Sequence, residues 1–219
     1  MLFAGLGVWQ VERLWWKLDL IQRVDARVHA SPVRAPPAAR FAQLDPRDVE
    51  YRHVRATGIF LPDRQTLVDA LTELGAGYWV MTPLKTRHGI ILVNRGFIPK
   101  QARRGETRAP APVTSPAAIT GLLRLSEPDG RFLRPNKPEQ DLWYSRDVTA
   151  IARARGLRDV GPYFIDADAT ANPGGYPVGG LTVIHFRNTH LIYALTWFAL
   201  AGLCIFGLVL LLRPRRTDC

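Results

Sequence analysis

The sequence predicts an α+β membrane protein: a twisted antiparallel sheet or partly closed β-barrel external domain with a small helix, flanked by an N-terminal (truncated) and a C-terminal transmembrane helix. Three observations predict it. Leu191 to Leu212 is a run of 22 residues without a formal charge, close to the roughly 20 a helix needs to cross a bilayer. Between residues 51 and 187, short β-prone runs alternate with turn-forming residues. At the start, apolar Met1–Trp9 leads into Gln10–Ala30, where Val11, Leu14, Leu18, Ile21, Val24 and Val28 recur at helical intervals.

Residues 1–9 are too short to span. A large domain carried outside ahead of a distal helix needs an N-terminal export element, so they are expected to be the outer end of a first transmembrane helix whose beginning is missing. Residues 10–30 form an amphipathic helix, with Trp9, Trp15 and Trp16 suited to the headgroup level. Residues 31–50 hold Pro32, Pro36, Pro37 and Pro46 and read as a linker. The external domain, residues 51–187, follows. Its strands are expected at Tyr51–Phe60, Tyr78–Leu84, Gly89–Ile98, Ala118–Leu125, Tyr163–Ala167 and Leu181–Arg187, with a hairpin at Lys85–His88 and a helix over Arg146–Gly156. Loops rich in proline or glycine separate them at Pro99–Pro116, Glu127–Leu142 and Asn172–Gly180. Residues 188–212 form the C-terminal transmembrane helix, and residues 213–219 a cytoplasmic tail. Arg213, Arg215 and Arg216 favour the inside, which leaves the domain before His190 outside.

The chain has 29 Lys and Arg against 19 Asp and Glu, a net charge of +10, with mean hydropathy of −0.04. Such a field attracts anions such as lipid headgroups or propionates. Nucleic acid is not expected as a partner, because the charges are scattered and the domain faces away from the cytoplasm. Cys204 and Cys219 are the only cysteines and no C-x-x-C pair occurs. That excludes a disulfide framework and thiol redox chemistry, and it leaves copper delivery without soft ligands.

His190 heads a helical face shared with Tyr193, Ala194, Trp197, Ala201 and Cys204. An imidazole at a membrane edge can serve as axial haem ligand, proton relay or partner to a second helix, or simply bond to water and headgroups. His53, His88 and His185 stand in no metal-ligand spacing. Asp166 and Asp168 would share one face of a strand, read either as solvated strand-end carboxylates or as an acid–base pair. Asn94-Arg95-Gly96-Phe97 is a polar corner closing an apolar strand, read either as a structural tie or as a site.

In order along the chain, Leu6-Gly7-Val8-Trp9-Gln10, Leu92–Pro99, Pro135-Asn136-Lys137-Pro138, Trp143–Asp147, Tyr163–Ala167, Pro177–Gly180 and Asn188–Trp197 resemble the Surfeit-locus protein family, known in yeast by its Shy name. Its members assist assembly of cytochrome c oxidase. The resemblance implies two transmembrane helices around one external domain, and in bacterial members binding of haem a, with His190 as iron ligand. Tyr193 and Trp197 would offer aromatic surface, and Arg187 a cation for the propionates. It implies a chaperone, not an enzyme, working with the oxidase core subunit, the haem a synthesis machinery and the lipid bilayer, possible also as a homo-oligomer. A bacterial plasma membrane, main domain periplasmic, is expected ahead of a mitochondrial inner membrane. A protein-contact scaffold that binds no haem, and an external-face enzyme, are the alternatives.

Overall fold

The computed structural model describes residues 2–41, 43–103, 116–131, 133–169, 175–182 and 188–212. Arg187, His185, Cys219, the arginines after Leu212, most of the Pro99–Pro116 loop and most of the strand expected at Leu181–Arg187 lie outside the described residues. The chain divides into two compact units: residues 1–26 with 184–219, and residues 27–183.

The elements of the second unit are β1 (Val33–Arg34), α2 (Ala38–Phe41), α3 (Pro46–Val49), β2 (His53–Phe60), β3 (Thr66–Thr72), β4 (Gly75–Thr86), β5 (Gly89–Pro99), α4 (Lys100–Arg103), β6 (Ala117–Leu125), α5 (Val148–Ala154) and β7 (Val160–Ala167). Five strands close into a barrel-like sheet in the order β2, β6, β7, β5, β4, and β4 returns to β2 through Ile59 opposite Lys85 and Phe60 opposite Leu84. Closure is therefore complete rather than partial. The sheet is also not wholly antiparallel, because β5 and β7 run parallel. A parallel neighbour requires a long crossover, and the chain from α4 to α5 provides it.

Side chains alternate across each strand. Val54, Phe60, Leu84, Ile91, Val93, Leu123, Tyr163 and Ile165 form one buried cluster with Ala35, Phe41 and Val49. Their neighbours Leu92 and Phe164 belong to a second cluster with Val68, Met81, Trp143, Val148 and Ile151. Strands β5 and β7 are thus buried on both faces, which is why Ile90–Val93 reads as an uninterrupted apolar run. Cutting any of the larger side chains to alanine should cost about 2–5 kcal/mol.

Two hairpins are built by one device. In Thr72-Glu73-Leu74-Gly75 and Thr86-Arg87-His88-Gly89, the threonine Oγ1 accepts the N–H two residues on, at 3.1 Å in each. The closing glycines have φ of +96° and +108°, open to glycine at little cost. Strand β3, paired with β4 from Thr66 opposite Met81 to Thr72 opposite Gly75, was absent from the sequence reading.

Residues 31–50, read above as linker, contribute to the core instead. The prolines restrict the chain but do not prevent docking: Phe41 stacks on Tyr163 with centroids 4.9 Å apart, and the Tyr163 hydroxyl donates to the Pro36 carbonyl at 2.5 Å.

The first unit contains α6 (His190–Leu212) and all but the last two residues of α1 (Leu2–Val28). Among the described residues, α6 is the one helix long and apolar enough to cross a membrane. α1 is not, since Glu12, Arg13, Lys17, Asp19, Arg23, Asp25 and Arg27 interrupt its length.

Candidate functional site

His190 is the first residue of α6. Asn188 Oδ1 accepts the His190 N–H at 3.3 Å, satisfying one of the donors that a helix start leaves open, and the Thr189 carbonyl takes the first regular helical bond, from the Tyr193 N–H at 3.2 Å. From there α6 lies against α1 along matched spacings. Phe3 stacks on Trp197 (5.7 Å, 16°), Gly7 faces Phe198, and Gln10 meets His190. On α1 the contacting residues recur at intervals of four and three, and on α6 His190 and Trp197 stand seven apart, so each set lies along one helix face. Gly7 leaves room for the Phe198 ring, whose Cε1 would lie 2.6 Å from an added Cβ, and Ala194 on α6 is buried.

At the end of this seam, His190 Nδ1 lies 2.8 Å from Gln10 Oε1. An amide oxygen can only accept, so Nδ1 carries the proton and donates. In the neutral ring Nε2 then holds the lone pair. Carbonyl acceptors behind metal-binding histidines fix the tautomer and ring orientation in this way. Gln10, 9% exposed, is the partner that residue spacing could not reveal, because 180 positions separate it from His190. One signal was present: Gln10 is an uncharged polar residue in line with Phe3 and Gly7.

Of the other expected site residues, Trp197 is part-buried beside Phe3, while Tyr193, three residues after His190 on α6, is 54% exposed. Among the described residues no group of three or more His, Cys, Asp and Glu side chains could hold a metal ion. One imidazole suffices, however, for a porphyrin that brings its own four nitrogens.

The second candidate is in the β unit, where the Asn94 corner and Asp166 prove to be one structure. Asp166 is 3% exposed, and Asn94 Nδ2 donates to its Oδ1 at 2.8 Å. Arg146 Nη1 lies 3.0 and 3.3 Å from the two carboxylate oxygens, and Arg124 Nη1 lies 3.4 Å from Oδ2. Arg146 also grips Glu127 through Nε (3.1 Å) and Nη2 (2.5 Å). Burial works to raise the Glu127 carboxyl, but the hydrogen bonds and charge of Arg146, with Arg124 beyond, hold it below the usual range. Asn94 Oδ1 accepts the Gly96 N–H at 3.1 Å, and Gly96 has φ of +126° where β5 carries an extra residue against β4. A side chain there would collide with the Val178 backbone.

The loop motifs serve this cluster. Asn136 Oδ1 accepts the N–H groups of Tyr144 (2.7 Å) and Ser145 (3.1 Å), and Asp147 caps α5 by accepting from Ala150 N at 3.0 Å. Arg146 is thereby set between two fixed neighbours. Asp168 does not join Asp166. It pairs instead with His53, whose Nε2 is 2.9 Å from Asp168 Oδ2 and whose Nδ1 is 3.0 Å from the Ala30 carbonyl. Burial pulls this imidazole downward, yet the two acceptors and the Asp168 charge together raise it above 6.5.

The fold and site are those of a β-barrel protein with one apolar helix of membrane-spanning length, the helix opening on a histidine hydrogen-bonded to Gln10. Residues 1–202 match the SURF1 family, and the chain belongs to it. It is 37% identical over 217 residues to Surfeit locus protein 1 of Rattus norvegicus, covering 91% of this chain and 68% of that protein. Identity to Surfeit locus protein 1 of Homo sapiens is 36% over 216 residues (90% and 70%). With the SURF1-like protein of Monosiga brevicollis it is 35% over 242 residues (97% and 89%).

Proposed function

We propose that this chain is a membrane-anchored assembly factor that receives haem a at the outer face of the membrane and hands it to the core subunit of cytochrome c oxidase. His190 Nε2 is the axial ligand to the haem iron. The haem is cargo, and the protein makes and breaks no covalent bond in it. The observation that carries the reading is the Gln10–His190 hydrogen bond, which leaves the imidazole oriented with its lone pair on the distal nitrogen. Trp197 and Tyr193 supply aromatic surface along the same helix, and Arg187 is the nearest cation in sequence to pair with a propionate.

In this reading the arginines after Leu212 remain in the cytoplasm of a bacterial cell, and the barrel unit faces the periplasm. The haem a synthesis machinery and the oxidase core subunit are the partners on either side of the transfer. Purification of the full chain from a haem a-producing host tests it. The expected result is a Soret band that His190→Ala removes. An undiminished band in that variant would place the ligand elsewhere, and wild-type protein without pigment would favour a scaffold acting through protein contacts.

A further inference from the structure

A second site lies in the β unit, away from the Asp166 cluster. Strand β2 is covered on one edge by two different partners. β1 pairs with Val54 and Arg55, and β4 pairs with Ile59 and Phe60. Residues 56–58 are left without a strand between them. Over this gap opens a cavity of ≈ 650 Å³, within the size range of small-molecule sites. Its floor is apolar and buried, formed by Ala35, Ala56 and Ile91. One wall, Pro36 and Pro37, is anchored from beneath by the Tyr163 hydroxyl.

The rim is cationic. Arg34 and Arg55 sit directly opposite one another in the β1–β2 register, and Arg87, on the β4–β5 turn, lines the same cavity. No Asp or Glu is among the described residues that line the cavity. His88 adds no proton of its own toward Arg87: Arg87 Nε donates to His88 Nε2 at 2.8 Å, which makes that nitrogen an acceptor. Like charges directly opposed across a strand pair destabilise the pair. Two arginines held so, with a third lining the same apolar-floored cavity, are matched by an anion that shares its charge among them. Guanidinium groups bind oxyanions in two-pronged fashion.

We propose that this cavity binds a small amphiphile in which a phosphate-like oxyanion, held by Arg34, Arg55 and Arg87, is joined to a short apolar body resting on Ala35, Ala56 and Ile91. The site is independent of the His190 reading.

The test uses the full chain in a non-ionic detergent, with calorimetric titration of three probes: dihexanoyl phosphatidic acid, inorganic phosphate and uncharged dihexanoylglycerol. Saturable binding of the phosphatidic acid is expected, with phosphate at least about tenfold weaker and the diglyceride not bound. Arg34→Gln/Arg55→Gln, and separately Arg87→Gln, should weaken the phosphatidic acid by about tenfold or more. The ligand-free double variant should melt at or above the wild-type temperature, because a repulsion has been removed. Undiminished binding by the variants, absence of saturable binding, or diglyceride binding as tightly as the acid would overturn the proposal. Phosphate matching the phosphatidic acid would overturn its apolar half. A lower melting temperature for the ligand-free double variant would make the arginines structural and overturn it as well.

Discussion

Asp166 and His190 are both held by side chains from distant parts of the chain, and they are satisfied to very different degrees. Asp166 takes donors from Asn94, Arg146 and Arg124, so both its oxygens are occupied within the fold. His190 gives one nitrogen to Gln10, which directs the lone pair to the other. In the proposed reading, a carboxylate used up by its surroundings serves the fold, and an imidazole held on one side is left able to bind. The difference matters because burial alone would rank Asp166 first.

The largest way to break the comparison is Asp166→Ala. It leaves the buried Arg146 with Glu127 alone, and loss of one partner from a buried pair should cost about 3–5 kcal/mol, measured by urea unfolding in detergent. Gly96→Ala is next. It forces an ordinary residue to positive φ against the Val178 backbone and should cost about 2–3 kcal/mol by the same measurement. Gln10→Leu addresses the other side: with the tautomer no longer fixed, haem a affinity should fall about tenfold, equivalent to ~1.4 kcal/mol, while unfolding in the absence of haem changes little.

The smallest effect belongs to His53. Its folded imidazole is raised above 6.5 by Asp168 and the Ala30 carbonyl despite burial, so it favours the folded state while protonated in both states. That contribution is complete below about pH 6.5 and is lost as pH climbs through the raised folded value. For a pair this exposed it is at most about 1 kcal/mol. His53→Gln should flatten the corresponding slope of stability against pH, and a slope unchanged by the substitution would contradict the assignment.

How much of this was legible in the sequence follows from the range of each interaction. Strands β2, β4, β5, β6 and β7, helix α5 and helix α6 were readable because their signals are local: alternation, turn residues and an unbroken apolar run. Strand β3 was missed because Thr66-Leu67-Val68-Asp69-Ala70 mixes apolar residues onto both faces, and only the β4 pairing decides which are buried. Residues 31–50 read as linker because prolines punctuate them, while their docking depends on Tyr163, more than a hundred residues away. Barrel closure and the parallel β5–β7 pair are also non-local.

The sites divide in the same way. His190 stood out by residue type at the head of a span, but its partner Gln10 did not. Asn94 and Asp166 were each noted, as separate corners, and only the register of β5 with β7, Asn94 opposite Asp166, joins them. The Arg34–Arg55 juxtaposition had no sequence signal, since β1 is two residues long.

The most direct test of the account is a titration of haem a into the detergent-solubilised full chain and its His190→Ala variant, read by Soret absorbance, then repeated on the variant with free imidazole added. The account predicts saturable binding by the wild type, loss in the variant, and recovery of the ligated spectrum with imidazole. Equal binding and identical spectra for wild type and variant would contradict it.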